Sequence, residues 1–558
     1  MKAYKNILWL LLLAALNDGC KKGGGDDSPA PTPSAYYLTN IRLNNTVASL
    51  PSVNYNVSPA VVVRLRFTSK INRSTVNTGI SFTETNASAV GYAVAYENGD
   101  STVVITPSSA LKYLTKYTVS ATAALKSAAG GSLAVPSAAN FLTSIDSSRK
   151  FPALTDDALL TKIQEQTFKY FWDFAHPTSG LARERNTSGD IVTSGGSGFG
   201  IMAIPVGVSR GFITRAQGLT RMQTIVGFLK NTAVKVKGAF PHWLNGATGA
   251  IVPFSATDNG ADLVETSYLM MGLLTARQYF NGADPAETAL RADINTLYNN
   301  VEWDWFRQGG QNVLYWHYSA TNGWAINMPI RGWNECLITY VMAASSTTHG
   351  IPASVYSNGW KGGSGYTNGS TYYGYQLPLG PAQGGPLFLA HYSFLGINPN
   401  NLVEGGVNFF TQNKNHTLIN YNYCKTNPAA YFGYSDSTWG LTASDIENGY
   451  TASSPTNDVG VIAPTAAISS IPYTPAESMA ALKFYYYVLG DKLWKEYGFV
   501  DAFSLNKPWI ASSFLAIDQG PIILMIENYR SGLLWNLFTS CPEIKTGMLS
   551  LGFSAPYL

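Results

Sequence analysis

The spacing of apolar residues changes once along this chain, near residue 150, and the change predicts two different folds in one polypeptide. From Tyr36 to about Ile145, short alternating runs such as VVVRLRF, GYAVAY and STVVITP are split by Asn, Gly and Pro. Alternation with period two is that of half-buried strands, so residues 36–147 are expected to form a small all-β sandwich. After SSRKFP, Leu159, Ile163, Phe168, Phe171 and Trp172 recur near helical spacing behind an acidic start at Thr155, Asp156 and Asp157. Further helices are expected over 213–232, 262–280, 286–300, 334–346, 384–395, 476–489 and 520–538. Long loops rich in Gly, Trp, Tyr and Asn separate them, as in LYWHYSATNGWAINMPIRGW, and loops of that kind inside a compact domain usually carry function. About a dozen helices is the number an (α/α)6 toroid needs. An α-solenoid is left open by pattern alone, although no fixed-period repeat favours it.

The start, MKAYKNILWLLLLAALNDGCKKGGGDDSP, places Lys2 and Lys5 before an apolar run from Ile7 to Leu16 and then Cys20. That run is too short to span a bilayer and has the layout of a secretory signal. With a cysteine at the cleavage point and a polar tether over 21–35, it resembles a bacterial lipoprotein signal, with Asn17 and Asp18 departing from the usual residues. The resemblance implies lipid on Cys20 and an envelope location, facing the periplasm or the outer-membrane surface, with membrane contact through the lipid alone. The remaining Cys336, Cys424 and Cys541 are far apart and lack zinc-ligand spacing, so buried free thiols are expected. Only 13% of residues are charged and the formal balance is +3, which offers no broad basic field for nucleic acid. The chain is read as a monomer.

The run DNGADLVETSYLMMGLL opens with Asp258, Asp262 and Glu265. At these spacings the three acids would share one face of an otherwise apolar helix, where like charges repel unless a polar cavity uses them. That face is expected to line an active site. Two more acids stand at helix mouths. Glu335, in MPIRGWNECLITYVMAAS, follows Arg331 and Trp333 and would occupy the first turn of a helix beginning near Asn334, where the dipole lowers a carboxyl's pKa unless burial outweighs it. Asp518, in SSFLAIDQGPIILMIENYRSGLLW, would precede a helix opened by Pro521, and Glu527 would pair with Arg530 one turn on. A glycosidic bond is commonly cleaved by two such carboxyl groups.

The segments FKYFWDFAHPTSGLARER, SGGSGFGIMAIPVGVSRGFITR, GAFPHWLNGATG, DNGADLVETSYLMMGLL, WHYSATNGWAINMPIRGWNE, LFLAHYSFLGI, STWGLTASD and IDQGPIILMIENYRSGLLW, in that order over residues 152–558, resemble the glucoamylase-like domain of bacterial glycosidases, in particular glycoside hydrolase family 144. The β-rich segment resembles the bacterial Ig-like domains that precede secreted enzymes. The resemblance implies an (α/α)6 toroid that hydrolyses β-1,2-linked glucans or oligosaccharides with inversion and without a metal or organic cofactor. It implies Glu335 as general acid, Asp518 as base and Asp258, Asp262 and Glu265 as an acidic cluster at the cleft. Arg183 and Arg185 invite hydroxyl contacts, as do the aromatic and polar residues His242, Trp243, Trp316, His317, Trp333, His391, Trp439 and Asp445. A glycan-binding protein without turnover, and a hydrolase of another glucan linkage, are the alternatives; endo or exo action is open.

Overall fold

The computed structural model describes residues 32–86 and 88–558, so Cys20 and most of the tether lie outside the described residues. The backbone divides into a unit ending at Ser144 and a unit Ile145–Leu558. In the first, β1 (Leu38–Leu43), β2 (Thr46–Val47), β4 (Val63–Phe67), β6 (Tyr92–Glu97) and β7 (Thr102–Pro107) form one sheet in the order β2-β1-β4-β7-β6. The second sheet, β3-β9-β8-β5, joins β3 (Val53–Val57), β9 (Ser137–Thr143), β8 (Lys116–Ala121) and β5 (Ile80–Glu84). Alternation explains the sandwich. In β4, Val63, Leu65 and Phe67 are buried while Arg64 and Arg66 point away. Their apolar face meets Phe82, Val119 and Phe141 of the other sheet in one core.

The second unit is helical: α1 (Asp156–Trp172), α2 (Ser194–Ser209), α3 (Arg215–Asn231), α4 (Leu263–Tyr279), α5 (Pro285–Asn299), α6 (Leu337–Ser345), α7 (Phe409–Thr426), α8 (Pro464–Ile468), α9 (Pro475–Tyr487), α10 (Ala516–Ser531), α11 (Leu533–Thr539) and α12 (Pro542–Ser550). Helices α6, α4, α2, α10 and α8 pack side by side in that order, with α1, α3, α5, α9 and α12 against their outer faces. The 3₁₀ turns Leu387–Ala390 and Ser393–Leu395 take the sixth inner place, the latter between α6 and α10. This is the (α/α)6 toroid. Its inner helices are apolar nearly all round because other helices surround them, whereas α1, α3 and α5 bury one stripe.

Several elements differ from the sequence reading. Helix α2, written SGGSGFGIMAIPVGVS, was not expected, because each glycine costs a helix about 1 kcal/mol. Packing explains the glycines: a Cβ on Gly198 would stand 2.2 Å from the Tyr268 carbonyl oxygen, and one on Gly272 would stand 2.2 Å from that of Gly198. Close approach of α2 to α4 replaces propensity. Helices α7, α8 and α12 were also unread, the 384–395 helix is the run of 3₁₀ turns, and 520–538 breaks at Gly532, whose φ of 69° ends α10. Pro521 lies inside α10 rather than at its start. Glu527 pairs with Arg210 at 2.7 Å instead of Arg530, which reaches Asp157 at 2.6 Å.

Candidate active site

Asp258, Asp262 and Glu265 come together, although not as one helix face. Helix α4 begins at Leu263, so Asp258 belongs to the preceding loop and Asp262 is the cap, its Oδ1 accepting the N–H groups of Val264 and Glu265 at 2.9 Å. Only Glu265 is helical. Two histidines from other segments close on the pair: His242 Nδ1 lies 3.2 Å from Asp262 Oδ2, and His317 Nε2 lies 3.5 Å from Oδ2 of both aspartates. The short strand pair Ala261–Asp262 and His317–Tyr318 fixes that second approach. Burial alone would lower His242, but the charges of Glu265, Asp262 and Asp258 outweigh it and raise its pKa to about 9. Burial would likewise raise Asp262, yet hydrogen bonds and charge from both imidazoles hold it well below the usual carboxylate range. Asp258 and Glu265 are raised, by burial first and the Asp262 charge besides. Glu265 turns to α2, where its Oε2 accepts the Gly195 N–H at 2.8 Å and the Thr193 hydroxyl at 3.3 Å.

Glu335 stands just outside helix α6, which starts at Leu337. The turn is set by Asn334, whose Oδ1 accepts the Cys336 N–H at 3.0 Å and the Trp360 indole N–H at 3.1 Å, while the Ser393 and Tyr268 hydroxyls bond the Glu335 carbonyl. Burial raises the carboxyl's pKa to about 7, against a hydrogen bond from its own backbone N–H that lowers it and with repulsion from Glu265 and Asp262 adding to the rise.

Asp518 is buried in the first turn of α10, its carbonyl accepting the Thr465 hydroxyl of α8 at 2.8 Å. Asp501 is buried as well, and burial raises both carboxyls, Asp518 further through the charge of Asp501. Asp501 in turn accepts the Asp445 N–H at 2.7 Å, and the Asp445 carboxylate holds Arg185 at 3.2 Å. Arg185, Asp445, Tyr450, Trp509 and Ser513 line a cavity of about 520 Å³ at this network's edge. The charges of both groups of acids bear on one hydroxyl: that of Tyr392, raised by burial, is raised further by Asp518, Glu335 and Glu265.

Four residues read as sugar contacts do other work. Arg183 donates to the carbonyls of Gly189 and Phe174 and lies over the Phe174 ring, so its guanidinium is occupied. Trp333 is buried among Trp360, Tyr366, Phe394 and Phe409. Trp439 is buried, donating to the Glu477 carbonyl at 3.3 Å. His391 is buried against the Ser470 hydroxyl at 2.9 Å, and burial pushes its pKa down to about 3. Trp243 and Trp316 are half-buried beside the histidines, Trp316 stacked on His317 with centroids 5.5 Å apart.

The "Putative glucoamylase" family model matches residues 327–542, and a bacterial Ig-like domain model matches residues 44–143. An endo-β-1,2-glucanase from Chitinophaga pinensis, solved with sophorotriose and glucose, superposes with a TM-score of 0.71 at 49% identity, over 73% of this chain and 100% of that one. The chain belongs to glycoside hydrolase family 144, the glucoamylase-like family. A β-1,2-glucanase from Parabacteroides distasonis superposes with a TM-score of 0.71 at 37% identity, over 94% of this chain and 74% of that one. The "Exo beta-1,2-glucooligosaccharide sophorohydrolase (non-reducing end)" of the same species is 46% identical over 418 residues, 71% of this chain and 58% of that relative. The family 144 chain thus spans little more than half the length of that curated relative.

Five residues of this family 144 site were not singled out in the sequence: Tyr392, Tyr450, Asp501, Trp509 and Ser513. Tyr392 adjoins the chosen His391, and the signal there was the choice between two neighbours in one block. Asp501, in GFVDAFS, and Ser513, which donates to Asp445 Oδ2 at 2.5 Å, carry no motif. Spacing gave no sign of one further grouping. Among the described residues, His242, Asp258 and Asp262 set ligand-type atoms within 4.8 Å of one another, a grouping no local spacing announces. In the geometry described, the same atoms form imidazole–carboxylate pairs.

Proposed function

We propose that this chain hydrolyses β-1,2-glucan or β-1,2-glucooligosaccharides, with Glu335 as general acid and Asp518 as base. The observation that carries the reading is a pair of carboxyls raised by burial, Glu335 to about 7 and Asp518 well above the usual carboxylate range, whose charges both bear on the Tyr392 hydroxyl. An acid in that range still holds its proton near neutrality and gives it to the leaving glycosidic oxygen. Asp518 takes the proton of the attacking water, and attack opposite the departing sugar inverts the anomeric centre. The charged set His242, His317, Asp258 and Asp262 orients sugar hydroxyls, while Trp243, Trp316 and Trp509 offer ring faces. The linkage is supported by the names of the family members, which cover both endo and exo action.

Incubation of the purified chain with β-1,2-glucan and with sophorooligosaccharides, followed by chromatography, tests the proposal. Release of sophorose from chain ends fits an exo enzyme, and a ladder of oligosaccharides fits an endo enzyme. Cleavage of another β-glucan with β-1,2-glucan untouched would refute the linkage, and binding without any product would make the protein a glycan receptor.

The leader supports a location as well: the chain is proposed to be an envelope lipoprotein held by lipid on Cys20. Substituting Cys20→Ser should move it from the detergent phase to the aqueous phase, and unchanged partitioning would reject the anchor.

A further inference from the structure

The loop before Asp258, IVPFSAT, carries an aromatic ring to which the hydrolytic reading gives no task. Phe254 keeps 52% of its surface exposed. Exposure alone decides nothing, since single apolar residues are common on surfaces; the placement of the ring decides more. It lies on His242, with centroids 4.3 Å apart and planes 25° from parallel, and meets Trp243 edge-on at 4.9 Å. His242 and Trp243 are themselves only 5.8 Å apart, far less than the other two separations together, so neither stands across the Phe254 ring from the other. The open part of the ring is therefore the face turned away from His242. The loop holds that face in place through its backbone. The N–H groups of Phe254 and Ser255 both donate to the Asp258 carbonyl, at 2.9 and 3.3 Å, and the Asp258 N–H donates to Ser255 Oγ at 3.0 Å. Asn322 Nδ2 donates to the Ala256 carbonyl at 3.2 Å, which ties the loop to the turn that follows His317 and Tyr318.

We propose that Phe254 is a platform on which one glucosyl unit of the chain stacks, away from the scissile bond, so that it sets affinity for longer substrates rather than the rate of cleavage. The role rests on the β-1,2-glucan reading above. A glucopyranose ring carries its hydroxyls around the rim and C–H groups on its faces; those C–H groups complement the negative face of an aromatic ring, and stacking removes apolar area of both from water. Because the platform is already fixed to Asp258, little freedom is lost when a sugar settles on it. A sugar on the open face is separated from Asp262 by the Phe254 and His242 rings, so it is a neighbour of the reacting unit and not the reacting unit itself.

Two variants of the full chain, assayed on β-1,2-glucooligosaccharides of increasing length, separate stacking from packing. Phe254→Leu keeps an apolar side chain over His242 and loses the flat face, whereas Phe254→Tyr keeps both. Stacking requires Phe254→Leu to raise KM at least about fivefold on the longer chains, by less on shorter ones, with kcat within about twofold, while Phe254→Tyr stays within about twofold in KM throughout. A Leu variant whose KM is unchanged at every length, or which loses kcat equally at every length, would show that the ring only covers His242, and the proposal would be overturned. A Leu variant that does not fold, or a Tyr variant as impaired as Leu, overturns it too. Wild type that leaves every β-glucan intact sinks the hydrolytic reading alone, because calorimetry of wild type and Phe254→Leu with the same oligosaccharides still decides the platform: weaker binding by the variant supports it and equal binding rejects it. Wild type that neither cleaves nor binds them sinks both.

Discussion

The Glu265 carboxylate accepts the Gly195 N–H at 2.8 Å, and it fits there because Gly195 has no side chain. A Cβ at that position would lie 2.4 Å from Glu265 Oε2. Close packing of α2 against α4 and the placement of an acid whose charge bears on Glu335 thus meet at Gly195.

Gly195→Ala is therefore expected to push Glu265 out of place. Overpacking of this kind costs about 1–3 kcal/mol, and a displaced acid at the cleft should lower kcat at least about tenfold. Thermal unfolding with steady-state kinetics checks both; a variant of wild-type activity would show that Glu265 has room to adjust.

Glu335→Gln keeps shape and removes the proton. Activity should fall by about 100- to 10,000-fold while sugar binding, followed by calorimetry, stays within a few-fold. Loss of binding in proportion to activity would point to misplacement instead.

The pH response follows from the same residue. With its carboxyl near 7 rather than 4.5, Glu335 loses its proton as pH rises through about 7, so activity should decline there. The folded state binds more protons than the unfolded state between those values, and stability must fall as pH rises through that window. The Glu335 contribution is at most roughly 3 kcal/mol, and Glu335→Gln should flatten the slope by up to that amount, measured by chemical unfolding at several pH values.

Arg183 and Arg185 should separate sharply. Arg183→Ala gives up two bonds to backbone carbonyls and a stacked ring, a loss of about 1–3 kcal/mol in stability with KM unchanged. Arg185→Ala strips Asp445 of its cation and should lower kcat/KM. Equal kinetic loss in both would restore Arg183 to the binding surface.

Trp439, set among the core residues, should behave as one. Its truncation to Ala is expected to cost about 3–5 kcal/mol without altering sugar affinity in the folded fraction.

Much of the architecture was legible because it is local. The alternation in VVVRLRF orients Val63, Leu65 and Phe67 inward, and the period in α1 buries Leu159, Ile163 and Phe168, whatever the rest of the chain does. Helix α2 escaped because its glycines answer to contacts with α4 that local propensity does not contain. The same division runs through the site. Glu335, Asp518 and the 258–265 acids stood out as acids beside apolar helices, but Trp333, His391 and Trp439 read as cleft residues on residue type alone, and burial assigns them to the core.

The residues themselves thus determined which segments become strands and helices and where acids meet apolar turns, since both follow from neighbours within a few positions. Only the tertiary structure decided which acids are buried, which histidines face Asp262, and whether a tryptophan lies in the core or beside the site. Those properties depend on groups up to hundreds of positions apart, and a hydrogen bond or a pKa is set by distance in space.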